Sequence, residues 1–349
     1  MLYRDDVGNS ENVLHKVLEM AQNEVEDLKK RLAACKIYKF GAERFAADDE
    51  SIKFYCGFPS SKHFVLFYDF IKPTSETMTY CYASGLYPRP SSKKMLLIDE
   101  LFMFLVRLRL GLFLKDLADR FNISEAAVSR KIVTWANYLY FFLGTQPIWP
   151  SYQSVKKHMP PDFKDLFPKT HVILDCTEVR VQVPSSLLLQ SQMYSNYKSA
   201  TTLKGLIGIT PNGAICFVSS LYTGSISDKE LTKESGILDL LEPNTSVMAD
   251  KGFNVNDLLT KRQVSLNIPP YLSHNAQLSP QQVKETQKIA RVRIHVERAI
   301  RRVKEFHIFD SPVPLALLGS INQIWTVACL LTNFQGNLIR VATDRKSVV

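Results

Sequence analysis

Leu14, Leu18, Ala21, Val25, Leu28, Leu32 and Cys35 alternate spacings of four and three, an a/d seam of about three heptads with Glu24, Glu26, Lys29 and Lys30 outside it. The pattern predicts one helix over 11–35, either packing on its own chain or pairing with a second copy. Residues 36–93 mix aromatics with turn formers and predict a linker and small helical region. One helix is expected from Lys62 to Ile71, stopped by Pro73, and a surface loop over 74–92 around Gly85, Pro88 and Pro90. From residue 94 the pattern becomes helical. Leu97, Leu101, Phe104, Leu105 and Leu108 form a stripe that Gly111 ends, and a short helix follows over 114–121. After the turn Asn122-Ile123, Ser124 caps a helix over 125–139 that puts Val128, Ile132 and Trp135 inward and leaves Ser129, Arg130 and Lys131 outward. Three helices with a tight second turn over 94–145 describe a helix-turn-helix whose last helix can meet phosphates or base edges. A small helical bundle without DNA contact has the same pattern. Pro147, Trp149 and Pro150 mark a boundary.

The remaining chain alternates strands and helices. Residues 171–183 are β-branched and apolar enough for a central strand, and the turn Pro211-Asn212-Gly213 joins two further strands as a hairpin. Ser227 or Asp228 caps a helix to about Leu241. A short strand over 246–250 ends in Asp250, and another helix and strand lead to a long helix from about Ser279 to Phe306. This order predicts an RNase H-like core over 165–340, a mixed sheet flanked by helices. The whole is a mixed α/β chain: that core, an all-helical helix-turn-helix domain before it, and an N-terminal amphipathic or coiled-coil helix.

Asp175 stands in an otherwise apolar strand, where an unpaired charge costs several kcal/mol, so it calls for a partner or a metal. Asp250 ends a strand that can lie beside the first, with Gly252 giving the backbone room. On the long helix, Ile289, Val292, Val296, Ala299 and Val303 form the buried stripe, and Arg293, Glu297 and Arg301 form the stripe beside it. Glu297 can therefore aim over the sheet, flanked by guanidinium groups able to grip phosphates. Two strand-end aspartates and one helical glutamate suit a pair of hard cations, Mg2+ or Mn2+, serving phosphodiester hydrolysis. Three acids chosen from 34 are also compatible with ordinary caps and ion pairs.

Composition adds a direction. A net charge of +9 favours a polyanionic partner, though basic proteins without nucleic acid are common. The six cysteines form no CxxC pair, which predicts free thiols in a reducing compartment. The first ten residues lack a signal-peptide pattern, and no apolar run is expected to span a bilayer: the nearest, Leu315 to Leu331, is broken by Gly319, Ser320, Asn322 and Gln323. An intracellular, soluble protein without membrane contact is the expectation.

The blocks ILDCTEV (173–179), YSNYK (194–198), GITPNGAICFVSSLYTGSISDKE (208–230), VMADKGF (247–253), LNIPPYL (266–272) and IARVRIHVERAIRRVK (289–304), with the helix-turn-helix stretch 99–130, resemble the DDE superfamily endonuclease of PIF/Harbinger-like transposases over about 94–340. The resemblance implies a nuclear transposase that hydrolyses transposon ends and joins the freed 3′-hydroxyls to target DNA with two divalent ions. Its catalytic and metal-binding acids would be Asp175, Asp250 and Glu297, with Asp228 supporting them or capping its helix. Ser129, Arg130, Lys131, Lys198, Arg293 and Arg301 are the expected DNA contacts. Tyr197, Lys204 and Arg298 are further supporting positions, and His295 is structural. Lys251 stands where arginine is commoner in the family. An N-terminal zinc-coordinating THAP finger, frequent among relatives, is not visible. End recognition then falls to the helix-turn-helix or to an accessory DNA-binding protein, or the sequence is part of a longer one. The second functional reading is a domesticated relative, catalytically silent, that binds DNA or chromatin proteins.

Overall fold

The computed structural model describes residues 5–82, 84–89, 95–270 and 279–336, and of 5–14 and 32–38 the backbone alone. Helix α1 (Asp5–Tyr38) contains the expected 11–35 helix. Leu18, Val25 and Leu28 on its seam are each about half exposed, together with Val17 and Met20 beside it. The apolar stripe is thus not consumed by the described part of this chain. The side chains of Leu14, Leu32 and Cys35 lie outside the described residues.

The stretch expected to be a linker and small helical region is helical, and it packs into the core rather than linking. Helices α2 (Asp49–Cys56) and α3 (Ser61–Ser75) bury Ile52, Phe64, Phe67 and Ile71 in one core with α4 (Leu97–Leu110), through Leu101, Phe102 and Leu105. Pro73 sits inside the last turn of α3 rather than stopping the helix before it. The final carbonyls find substitute donors there: Thr74 Oγ1 donates to Ile71 O and Ser75 Oγ to Lys72 O. Residues expected as a loop pair instead as an antiparallel hairpin, β1 (Thr79–Tyr82) with β2 (Gly85–Pro88). The hairpin is held by long-range partners, which local pattern cannot show: Tyr80 is buried, and the Cys81 amide donates to Thr134 Oγ1 at 3.0 Å.

The helix-turn-helix is α4, α5 (Leu114–Phe121) and α6 (Glu125–Gly144). Asn122 takes φ 51° at the turn and Ser124 Oγ accepts from Ala127 N. Gly111 ends α4 at φ 65°, and a Cβ on it would lie 2.8 Å from the carbonyl oxygen of His307. Only glycine lets the backbones approach this closely, so the end of α4 is pressed against the turn at His307.

Helices α7 (Tyr152–Lys157) and α8 (Pro161–Leu166) lead into the sheet. Its strands are β3 (Thr170–Arg180), β4 (Tyr194–Ser195, after α9, Leu187–Met193), β5 (Ala200–Ile209), β6 (Ile215–Val218), β7 (Tyr222–Thr223), β8 (Ser246–Met248, after α10, Asp228–Glu234) and β9 (Ser265–Asn267, after α11, Asn256–Thr260). Their order is β4-β5-β3-β8-β9, with β6 and β7 also on the outer edge of β5. β3 pairs antiparallel with β5 and parallel with β8, so it is the central strand. Gly213, at φ 93°, closes the β5–β6 hairpin as expected. Helix α10 stops well short of Leu241 because Gly236 turns to φ 80°.

The long helix α12 (Pro280–Lys304) starts with a capping box between Ser279 and Gln282. It buries Ile289, Val292, Val296, Ala299 and Val303 on one face of the sheet, as its stripe predicts. Helix α13 (Ile321–Leu331) closes the fold. The run Leu315–Phe334 does reach membrane-spanning length and apolarity, which corrects the expectation drawn from its polar interruptions. Its apolar side chains, Trp325, Val327 and Leu330 among them, serve the protein core. α13 packs on α6, and the Phe67 and Phe334 rings meet at 4.8 Å, so helical and sheet halves share one hydrophobic interior. This is a mixed sheet flanked by helices, the RNase H-like arrangement, behind a helical helix-turn-helix region.

Candidate active site

The register of two parallel strands creates the site. Ile173 on β3 lies beside Met248 on β8, and both side chains enter the core beneath α12. Side chains alternate faces with a period of two, so Asp175 and Asp250, each two residues further on, emerge side by side toward the same helix. Each carboxylate is steadied by the next amide: Cys176 N donates to Asp175 Oδ1 at 2.9 Å, and Lys251 N to Asp250 Oδ1 at 2.7 Å. Glu297 comes from α12, on the row beside its buried stripe.

One guanidinium stands among all three acids. Arg293 Nη2 donates to Glu297 Oε1 at 2.7 Å and lies 3.7 Å from Asp250 Oδ1, while Nη1 is 3.9 Å from Asp175 Oδ2. Three residues distant in sequence therefore surround a single positive centre. The Arg293 side chain is only 15% exposed, which corrects its placement as an outward phosphate grip. From Glu297 one turn on, the pull of three carboxylates turns it inward.

Asp175 is the deepest of the acids, with 22% of its side chain exposed against 51% for Asp250 and 55% for Glu297. Burial pushes its pKa up to about 6; Arg293 pulls it down, and Asp250 and Glu297 raise it further. Three carboxylates against one guanidinium leave a formal excess of two negative charges. Among the described residues, no three His, Cys, Asp or Glu side chains are drawn close enough together to hold a metal ion. The donor set nevertheless fits hard cations: every donor is a carboxylate oxygen and the site has surplus negative charge.

The surrounding residues sort differently from expectation. Asp228, first in α10, forms an ion pair with Lys204 at 2.6 Å, and a Cβ on Gly252 would lie 3.9 Å from its Oδ2. It thus borders the loop that carries Asp250, while Ser227 provides the cap. Lys204, 14% exposed, is engaged inside the protein rather than facing DNA. Cys176, between the two groups, has its thiol pushed up by burial and by Asp228. Tyr197 and Lys198 are exposed, the ammonium 4.4 Å from the ring centre. Arg298 and Arg301 are exposed on α12. His295 is half-buried near the Phe163 ring, and burial pushes its pKa down. Sequence reasoning missed Lys304, in the α12 turn after Arg301, whose ammonium feels Asp175, Glu178 and Lys198. Its spacing from Glu297, seven residues along a helix, was the available signal.

In the helix-turn-helix, Lys131 is corrected. Its ammonium binds Glu100 Oε1 at 2.5 Å, with both side chains largely buried. Glu100 also receives Tyr80 Oη, Arg89 Nη2 at 3.3 Å and Trp135 Nε1 at 3.4 Å. A lone carboxylate at 2% exposure needs these donors, and Lys131 is recruited for that purpose. Arg130 lies 5.0 Å from the centre of the Tyr82 ring and, like Ser129, is half-exposed.

A sheet whose parallel neighbours present two aspartates to a helical glutamate is the frame of a DDE nuclease core, here preceded by a helix-turn-helix. Comparison with known families agrees. Residues 174–333 match the DDE superfamily endonuclease, and residues 93–144 match the helix-turn-helix of DDE superfamily endonuclease. The two matched segments follow one another along the chain, the helix-turn-helix first and the endonuclease segment behind it. No curated protein matches it.

Proposed function

We propose that this chain is a PIF/Harbinger-like transposase that hydrolyses phosphodiester bonds at transposon ends and joins the 3′-hydroxyls to target DNA, in the nucleus. The observation that carries this reading is the convergence of Asp175, Asp250 and Glu297 on one cationic centre from three separate elements. Asp175, Asp250 and Glu297 would hold two ions of Mg2+ or Mn2+, which when bound activate the attacking water and stabilise the leaving oxygen. The protein's own part is placement. Backbone amides fix the aspartates, the shared sheet face sets their spacing, and Lys198, Arg301 and Lys304 line the approach with positive charge suited to a phosphate backbone. The helix-turn-helix contributes Ser129 and Arg130 for duplex contact. The exposed seam of α1 serves homodimerisation, and an accessory DNA-binding protein shares end recognition.

The test uses labelled duplex bearing candidate element ends, with Mg2+, Mn2+ or EDTA. Metal-dependent nicking that vanishes in Asp175→Asn supports the enzyme. Retained DNA affinity without any cleavage moves the chain to the other class, a domesticated DNA-binding protein.

A further inference from the structure

We infer that Arg293 is an interlock that occupies the acid cluster in the metal-free protein and couples cation binding to DNA binding. The inference rests on the nuclease reading above and concerns a residue of the chain rather than the ions themselves. Its guanidinium is within 4 Å of an oxygen of each acid, at 2.7, 3.7 and 3.9 Å. A hard cation needs those oxygens in direct contact, at about 2.0–2.1 Å for magnesium. It cannot reach them while a like-charged group stands among them, so cation and guanidinium compete for the same place.

Arg293 is also poorly rewarded where it sits. Among the described residues only its Nη2 is hydrogen-bonded to an acid, and the buried Nη1 finds no hydrogen-bond partner. A guanidinium has five donors in a planar fork that matches phosphate oxygens two at a time. Its long arm starts on the same helix as Arg301 and Lys304, which are exposed. A DNA phosphate arriving there offers the bidentate partner that the acids do not. Arg293 leaving for phosphate frees the acids, and cations entering the acids push Arg293 toward phosphate. The two bindings thus reinforce each other, and by linkage the effect is reciprocal. The metal-free site is kept assembled but is slow to load before substrate arrives.

The experiment measures Mn2+ affinity of the full chain by calorimetry, for wild type, Arg293→Gln and Arg293→Lys, with and without a short duplex. Without DNA, Arg293→Gln should bind Mn2+ about tenfold more tightly than wild type, and Arg293→Lys should stay near wild type because it keeps the charge. Adding duplex should tighten Mn2+ binding to wild type and leave Arg293→Gln unchanged. Equal or weaker Mn2+ binding by a folded Arg293→Gln, checked by circular dichroism, overturns the interlock. Wild type that binds no divalent cation, with or without DNA, instead removes the nuclease reading and the interlock with it. Should Arg293→Gln fail to fold, the wild-type Arg293 Nε–H resonance is followed by NMR during a Mg2+ titration. A shift to rapid solvent exchange is expected, and an unmoved, protected resonance at saturating Mg2+ refutes the proposal.

Discussion

Replacing Asp175 by asparagine removes a charge that the folded protein holds at a cost. Burial and the neighbouring acids raise the folded pKa from 3.8 to about 6, even with Arg293 nearby. At about 1.36 kcal/mol per pKa unit, keeping the group ionised at neutral pH costs roughly 3 kcal/mol, an upper figure because the side chain is 22% exposed. The folded pKa lies above the unfolded one, so the folded state binds the extra proton between about pH 4 and 6 and loses stability as pH rises through that window. The expected outcome in EDTA is an Asp175→Asn protein that melts a few degrees above wild type at pH 8, with a smaller gap at pH 5. Divalent cations should narrow the gap. A ligand at ten times its Kd stabilises the folded state by about 1.4 kcal/mol, and only wild type keeps the full acid set. Differential scanning calorimetry at two pH values, with EDTA or Mg2+, reads all of this. Wild type that equals or exceeds the variant in EDTA at pH 8 would refute the claim that Asp175 is strained in favour of chemistry.

Glu100→Ala strips four cationic or hydrogen-bonding groups of their buried partner, and removal of one side of such a pair typically costs about 3–5 kcal/mol; limited proteolysis should show the β1–β2 hairpin and α6 opening first. Arg130→Ala should weaken duplex binding and lower its salt slope by about one with little change in melting temperature, whereas Lys131→Ala should lower melting temperature and leave the slope alone. Gly111→Ala places a Cβ 2.8 Å from the His307 carbonyl at a left-handed φ, so thermal unfolding should show a loss of at least about 1–2 kcal/mol. Removing residues 1–38 should turn a dimer into a monomer by light scattering; an unchanged dimer takes that role away from α1.

The aspartates were legible because strands report their faces in steps of two. An acid inside an apolar strand is conspicuous in the sequence, and so is an acid just past a short one; the structure adds only the register, Ile173 beside Met248, that sets them level. Glu297 was legible to within one helical row, since the buried stripe of α12 fixes where its neighbours point. Arg293 shares that row, and there the pattern could not decide. Whether a long cationic side chain turns outward to a ligand or inward to three acids depends on the charges across the gap, which come from residues far away in the sequence. Lys131 failed for the same reason, with Glu100 as the distant partner. The hairpin over 79–88 was unreadable because its strands are short and the contacts that anchor it reach α6 and Glu100, far away in the sequence.

These two misreadings share a physical lesson about basic residues beside a suspected polyanion site. Net positive charge predicts a polyanion, but a buried carboxylate is a nearer competitor than any phosphate. Glu100, at 2% exposure, takes Lys131 at 2.5 Å and Arg89 at 3.3 Å, and this pairing is permanent because so deep a charge is costly to leave without its cations. The acids around Arg293 are half exposed in two cases out of three, and they hold it at 2.7, 3.7 and 3.9 Å, which is the room that the proposed exchange with hard cations would need. Burial of the acceptor thus separates a structural ion pair from an exchangeable one. By that criterion Lys131 belongs to the fold, and Arg293 is the one the proposed interlock can use.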